Sequence, residues 1–388
     1  MHRTEDALYS LSEKPDCTAA TLELIRRNFP NGSNVKEPAP LEKEFPLLLD
    51  PAQRERVQIL IHEKVVVSSA SFRPFEVQTQ ASQRPLKCAG IGLVVTDDSA
   101  RGKGYASRIQ EVIEQQAILE GCAVGVLWSD LVQFYAKRGY IIAGTEMQWH
   151  LETESLEVLR KRLKLENSPE HRSYEIRPLT SLQGCDSLYE EMKCGPKRDW
   201  KLYESFLSLP NTWAWGAWKD GELKTYAFLG KARDLRDTVH ELIGDPKAIA
   251  PLLSATLPHL EKLLRVHQPW GSPMQSELEH WLGKPEKTPL AFFKVLDVTR
   301  LCTWLNSSGC MPHGVQASAD ETRVFLSQRN SLTQKEEVFF ESDDHGHLIQ
   351  LFFGPWSLEE MTDLPEILQK RMKGGHIPPL YLWGFDSV

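Results

Sequence analysis

Gly92-Leu93-Val94-Val95-Thr96-Asp97-Asp98-Ser99-Ala100-Arg101-Gly102-Lys103-Gly104-Tyr105-Ala106 decides the reading of this chain. The apolar run Gly92–Thr96 reads as a buried strand, Arg101–Gly104 as a tight basic turn, and the chain from Tyr105 onward as a helix. The helix shows in the spacing of Ile109, Val112, Ile113, Ala117 and Leu119, with Gln110, Glu111, Glu114 and Gln115 between them. The first N–H groups of a helix have no partner within it, and two glycines let a ligand come close, so this turn predicts a pyrophosphate cradle. Arg101 and Lys103 add positive charge. Two common phosphate loops are excluded. A Walker loop needs Ser or Thr after the lysine, where Gly104 stands. A dinucleotide fingerprint needs a third glycine where Ser107 stands.

A second element lies downstream. Ala123–Trp128 reads as the next core strand of a parallel sheet, followed by Ser129-Asp130 and then Leu131-Val132-Gln133-Phe134-Tyr135-Ala136-Lys137-Arg138-Gly139-Tyr140. By residue type alone, Phe134 and Tyr135 are equally a buried aromatic pair on a helix.

Together the two elements resemble the GNAT N-acetyltransferases. Arg101-Gly102-Lys103-Gly104-Tyr105-Ala106 is similar to their Arg-x-x-Gly-x-Gly/Ala acetyl-CoA loop, and Val94-Val95-Thr96 to the Val-x-Thr before it. The usual proline three residues before the arginine is Asp98. Phe134-Tyr135 with Gly139-Tyr140 is similar to the family segment that faces the thioester. The resemblance implies a GNAT acyl-CoA acyltransferase fold of the α/β (α+β) class, with Tyr135 as general acid to the leaving sulfur. It implies that Arg101, Gly102, Lys103, Gly104, Tyr105, Ala106 and Ser107 bind the pyrophosphate. Val94, Val95 and Thr96, with the strand end at Trp128-Ser129, clamp the pantetheine and polarise the thioester carbonyl.

With 388 residues, two or three domains are expected. A hydrophobic fraction of 41% and a charged fraction of 25% fit a globular soluble protein. The net charge of −8 argues against nucleic acid as a partner and is compatible with cationic amines. Seven cysteines without Cys-x-x-Cys spacing fit neither a structural zinc nor a disulfide framework. No apolar leader follows Met1 and no run is long enough to span a bilayer, so a cytoplasmic protein without membrane contact is expected. The sequons at Asn31 and Asn306 then have no role.

A helix is expected over Ala19–Asn28, then a Pro-rich loop at Pro38, Pro40 and Pro46. Strands are expected over Arg56–Glu63, Val65–Ser71 and Leu86–Thr96, and a strand pair over Ile141–Leu151, closing a first unit at residues 1–152. Leu156–Leu165 reads as an amphipathic linker helix, its Lys161–Lys164 stretch a solvated basic face. A second unit, 170–294, carries a hairpin from Thr212–Trp218 to Leu223–Gly230 across Lys219-Asp220-Gly221-Glu222. Trp213 and Trp215 on one face of its first strand read as core. Gly244-Asp245 stands there where an acyl-CoA loop would be. With no Arg-x-x-Gly-x-Gly, this unit is read as a degenerate GNAT-like domain. A third unit, 295–388, reads as α+β: strand and helix over Val295–Leu305, strands around Glu321–Leu326, Glu337–Glu341 and His347–Phe352, and a helix near Leu358–Met372. Asp343-Asp344-His345-Gly346-His347 could suggest a metal site but reads as a solvated hairpin tip, and no metal is expected. The apolar ending Pro378–Val388 should be docked.

This order resembles the Eis (enhanced intracellular survival) acetyltransferases, whose third unit looks like a sterol carrier protein. That resemblance implies acetyl-CoA as co-substrate, further cofactor contacts at Ser129 and Asp130, and a homo-oligomer, a hexamer. It implies the carboxylate of the C-terminal Val388 as base, with Asp386 or a water-linked acid as the other candidates. The acceptor is a primary amine of a polyamine, an aminoglycoside-like molecule or a lysine. The rival expectations are a catalytically silent acyl-CoA sensor and a carrier of apolar ligands through the C-terminal domain.

Overall fold

The computed structural model describes residues 6–29, 40–78, 84–166, 168–232, 234–260, 262–309, 311–329, 333–354, 366–372 and 380–387. Its strands are β1 (Ala7–Ser10), β2 (Val57–His62), β3 (Val65–Gln78), β4 (Leu86–Thr96), β5 (Val124–Leu127), β6 (Ile141–Ala143), β7 (Glu146–Glu152), β8 (Glu175–Pro178) and β9 (Gly195–Pro196). They continue with β10 (Trp213–Lys219), β11 (Glu222–Lys231), β12 (Asp234–Gly244), β13 (Leu263–Pro269), β14 (Glu286–Thr288), β15 (Ala291–Val295), β16 (Val315–Ala319), β17 (Val324–Arg329) and β18 (Glu336–Ser342). The helices used below are α1 (Thr18–Asn28), α2 (Tyr105–Leu119), α3 (Val132–Ala136), α4 (Ile249–Thr256), α5 (Val298–Ser307) and α6 (Gly346–Phe353).

The strands form three sheets, ordered β1-β2-β3-β4-β5-β15-β6 with β9 beside β3, then β14-β7-β13-β12-β11-β10-β8, then β16-β17-β18. On the first sheet, α1 packs its Leu24 and Ile25 with Val57, Ile59, Leu93 and Val95. On the other side, α2 packs Ile109, Ile113 and Ala117 with Phe72, Ala89 and Ile91. Strand alternation and helix periodicity thus divide one sheet between two apolar layers.

The first two sheets exchange strands. The pair expected over Ile141–Leu151 is split: β6 stays in the first sheet, while β7 runs antiparallel to β13 in the second, from Glu146↔Pro269 to Glu152↔Leu263. In return β15 lies between β5 and β6, antiparallel to both. The reason is in the side chains of β7. Alternate residues Met147, Trp149 and Leu151 are buried with Leu229, Leu264 and Val266 in the second core, and a period of two commits that whole face to one partner.

Two further expectations are corrected in the third region. His347–Phe352 is not a strand but part of α6, with Leu348, Ile349, Leu351, Phe352 and Phe353 all buried. An apolar run covered on all sides has no periodicity that separates helix from strand. Consequently Asp343–His347 is not a hairpin tip but a strand-to-helix turn. There the Asp344 carboxylate accepts from the Gly346 amide at 2.7 Å, and Ser342 Oγ lies 2.6 Å from His347 Nδ1. Strand β16 has no counterpart in the sequence reading. Asn306 of α5 holds it by accepting from the Ala317 amide at 2.7 Å and donating to the Ala317 carbonyl at 2.8 Å. Of the helix expected near Leu358–Met372, Glu366–Met372 is helical, and residues 358–365 lie outside the described residues.

The tail Leu380–Ser387 is docked. The Tyr381 hydroxyl donates to Glu146 at 2.9 Å and the Trp383 indole to the Cys194 carbonyl at 2.9 Å. Asp386 is held by Arg198 at 2.7 and 3.1 Å and by the Tyr203 hydroxyl at 2.6 Å. Arg198 also grips Glu241 through two bonds of 2.7 and 2.8 Å, with no exposure on either side chain. One buried cation thus answers two buried carboxylates. Removing it would leave both uncompensated, a loss of roughly 3–5 kcal/mol or more.

Candidate functional site

The site begins where β4 breaks from its neighbour. β4 and β5 pair in parallel from Cys88↔Val124 to Gly90↔Val126, after which β4 runs on to Thr96 paired with β3 alone. Opposite Ser69–Ser71 of β3 the register slips, and Leu93 takes the left-handed conformation, φ 53°. A bulge bends its strand and increases the local twist, so a wedge opens between β4 and β5. Val95 is buried and its carbonyl accepts from Ser68 Oγ at 2.7 Å; Thr96 Oγ1 lies 2.9 Å from the same oxygen. Val94 and Thr96 are half-buried.

Past Thr96, the Asp97 carboxylate accepts from the amide of Ser99 at 3.0 Å and from its hydroxyl at 2.6 Å. These bonds, with the Arg27 guanidinium at 3.2 Å, hold the Asp97 carboxyl below its usual range. One 3-10 turn, Asp98–Ala100, comes next. Then come Arg101, Gly102, Lys103 and Gly104, all exposed, with both glycines left-handed at φ 78° and 79°. Helix α2 starts at Tyr105. The Ser107 and Arg108 amides both donate to the Gly104 carbonyl at 3.1 Å. The amides of Gly102, Lys103, Gly104, Tyr105 and Ala106 have no acceptor among the described residues. A consecutive row of free N–H groups ahead of a 15-residue helix is what an anion requires.

The side chains here divide. Arg101 is tied to Asp98 at 2.8 Å and to Asn28 at 3.1 Å. Tyr105 turns inward and donates to Asp6 at 3.2 Å, a carboxylate shared with His62 and Arg108. Its amide therefore belongs to the turn while its phenol belongs to the scaffold. Lys103 has no ion-pair partner among the described residues. Ser107 accepts from Arg138, which joins the start of α2 to the segment after α3.

Ser129 Oγ accepts from the Leu131 amide at 3.1 Å and sets the entry to α3, and Asp130 is exposed beside it. Tyr135 sits on α3, 5% exposed. Its ring meets Phe134 edge-on at 4.9 Å between centroids, Tyr140 at 5.6 Å and Phe292 of β15 at 5.9 Å. Burial pushes its phenol up to about 12, against a smaller opposing pull from Arg138. Tyr140 is fixed from behind, its hydroxyl donating to Glu114 at 2.9 Å while Lys294 of β15 pairs with Glu114 at 2.7 Å. An open cleft of about 540 Å³ runs along α3, lined by Asp130, Gln133, Phe134, Lys137 and Arg138 among others.

Residues 94–107 thus run without interruption from the end of β4 through the turn to the start of α2, and the Arg138–Ser107 bond ties the end of the segment after Ser129 to that helix start. Val388 lies outside the described residues. Asp386, the other carboxyl considered as a base, is committed to Arg198 and Tyr203. Sequence reasoning missed Arg138, Phe292 and Lys294. Arg138 stood inside the quoted segment as an unpaired cation. The other two arrive on a strand more than a hundred residues downstream, and nothing local announces their position.

Residues 20–143 match the family model for the acetyltransferase (GNAT) domain. Over that stretch the chain is similar to the GNAT acetyltransferase domain, and the turn and Tyr135 both fall within it. No curated protein matches the chain. Among solved structures, the chain is similar to a GCN5-related N-acetyltransferase from Kribbella flavida, at 14% identity and TM-score 0.62 over 97% of this chain and 100% of that one. It is similar to a probable N-acyltransferase from Enterococcus faecalis V583, at 14% identity and TM-score 0.66 over 97% and 98%. Eis1 from Mycobacterium abscessus aligns at 12% identity and TM-score 0.61 over 97% and 99%. At such identities the likeness is one of fold. Among the described residues no cluster of three His, Cys, Asp or Glu could hold a metal, and no helix is long and apolar enough to cross a membrane.

Proposed function

We propose that the protein transfers the acetyl group of acetyl-CoA to a primary amine. The observation that carries this reading is the row of unpaired amides from Gly102 to Ala106 within a segment matching the acetyltransferase domain. The coenzyme's pyrophosphate sits on that row, and its pantetheine enters the wedge between β4 and β5 along Val94–Thr96 and Ser129. The amine attacks the thioester carbon, the carbon–sulfur bond breaks, and the amine's surplus proton must end on sulfur.

Tyr135 is the group assigned to that sulfur. A phenol at about 12 keeps its proton at neutral pH. Full transfer to a thiolate of ordinary pKa, ~8.5, is uphill by roughly 5 kcal/mol. Tyr135 therefore stabilises the leaving thiolate first by its hydrogen bond. It passes its proton on as the amine's proton, removed by the base, refills the phenol. The base is the Val388 carboxylate in this reading, by resemblance to Eis proteins. The same resemblance supports a three-unit chain with boundaries near 152 and 294, a sterol-carrier-like last unit, a hexamer and a cytoplasmic site of action. The acceptor is a polyamine, an aminoglycoside-like molecule or a lysine side chain, in keeping with the net charge of −8.

The test is thiol release from acetyl-CoA with a panel of amines. Amine-dependent release is expected. Tyr135→Phe should lower kcat by about 10²–10⁴-fold with coenzyme binding retained. Undiminished turnover would remove Tyr135 from the mechanism. Coenzyme binding with no release by any amine would make the protein an acyl-CoA sensor. Unchanged kinetics after adding residues beyond Val388 would remove the terminal carboxylate.

A further inference from the structure

Arg138 stands out among the arginines around the turn. Arg27 is paired with Asp97, Arg101 with Asp98, Arg108 with Asp6 and Lys294 with Glu114. Arg138 has no carboxylate partner among the described residues. Its guanidinium carbon instead lies over the Phe134 ring, 3.5 Å from the centroid. One terminal nitrogen donates to the Phe134 carbonyl at 2.7 Å and the other to Ser107 Oγ. Its Nε is buried with no acceptor. A guanidinium carries five N–H donors and a full charge, and here several donors remain unanswered and the charge meets the face of a ring but no carboxylate. The ring contact and the two hydrogen bonds already restrain the side chain, so a ligand would add little entropic cost. Its contact, Ser107, stands directly after the last of the free amides, and because that hydroxyl accepts from Arg138, its own O–H remains free to donate onward.

We infer that Arg138 is a second anchor for the phosphates of the coenzyme, facing the amide row from the α3 side of the cleft. This rests on the reading of residues 101–107 as the coenzyme site. The match is chemical: a planar cation with spare donors beside unpaired amides suits a phosphate, which accepts several charge-assisted bonds at once. Coenzyme A offers that chemistry in its pyrophosphate and in its 3′-phosphate.

The experiment is calorimetric titration of the full-length protein with CoA and with 3′-dephospho-CoA at two salt concentrations, for wild type, Arg138→Gln and Arg138→Lys. Arg138→Gln should weaken CoA by roughly 10- to 100-fold and flatten the salt dependence, and Arg138→Lys should recover part of both. An equal loss on both ligands assigns the contact to the pyrophosphate. A loss seen with CoA alone assigns it to the 3′-phosphate. Affinity within about twofold of wild type overturns the inference, as does a loss with unchanged salt dependence, which is what a merely structural arginine would give. If wild type binds no CoA, the coenzyme reading itself has failed. If wild type binds and Arg138→Gln binds equally, only the role of Arg138 has.

Discussion

The first and second sheets each send a strand into a capped turn and then a helix, and the two turns open alike. β4 ends in Asp97, whose carboxylate accepts from the amide two residues on, and a 3-10 turn over Asp98–Ala100 succeeds it. β12 ends before Asp245, whose carboxylate accepts from the Lys247 amide at 3.0 Å, and a 3-10 turn over Pro246–Ala248 succeeds it. There they part. The second turn runs straight into α4 at Ile249, whose first residues Ile249, Ala250 and Pro251 are buried. The first spends Arg101, Gly102, Lys103 and Gly104 before its helix begins, and those four residues leave the amides free. Pro246 in the second turn and Pro251 in the first turn of α4 have no N–H to offer at all. The proposed phosphate site is thus an insertion into a shared strand–cap–helix opening, and the second sheet retains the opening without it.

The glycines sharpen the contrast. Around Gly104 an added Cβ would meet nothing within 4 Å, so it is the left-handed φ of the turn, and no crowding neighbour, that calls for glycine there. At Gly244, φ 129°, a Cβ would fall 2.0 Å from the Lys224 carbonyl oxygen of β11, so that glycine serves the neighbouring strand. Gly104→Val should carry the largest effect, lowering CoA affinity by about 100-fold or more while the left-handed strain costs stability only ~1–2 kcal/mol. Retained affinity in a titration would break the cradle assignment. Gly244→Ala should do the reverse. It should cost on the order of 3 kcal/mol, seen as a lower thermal midpoint, with CoA affinity within about twofold of wild type. A Gly244→Ala protein that stays folded yet loses CoA would show that the second turn is not merely structural.

What could be read from the chain obeys the same division. The strand, turn and helix of residues 92–107 were legible because the pattern is local: strand, glycines, cation and helix succeed one another within a few residues. Asp245 in place of a glycine turn was legible for the same reason. The exchange of β7 and β15 was not. The buried face Met147, Trp149 and Leu151 shows which side is covered and not which sheet covers it, and Phe292 and Lys294 reach Tyr135 and Glu114 only through that exchange. Helix α6 was misread because burial on all sides erases the polar face by which a helix is known. The grip of Arg198 on Glu241 and Asp386 joins residues from three distant stretches, a pairing that spacing along the chain cannot suggest.

The smallest expected effect tests the shared opening itself. Asp97→Ala and Asp245→Ala each remove one capping acceptor, and each should cost about 1 kcal/mol of stability. Asp245→Ala also removes the hydrogen bond that the Tyr174 hydroxyl donates to that carboxylate at 2.6 Å. Only Asp97→Ala should reach the coenzyme, weakening it a few-fold, roughly 2–5, because the Asp97 cap orients the chain that enters Arg101–Gly104. The pH dependence has a definite sign. Asp97 is held below its usual range by Ser99 and Arg27. Its contribution is therefore complete above the unfolded carboxylate pKa, ~3.9, and is lost as pH falls through the lower folded value. CoA affinity should then show no dependence on this group between about pH 6 and 8, and the first turn should loosen only in acid. If Asp97→Ala left CoA affinity untouched, as Asp245→Ala should, the two caps would be equivalent, and the functional difference between the sheets would lie in Arg101–Gly104 alone.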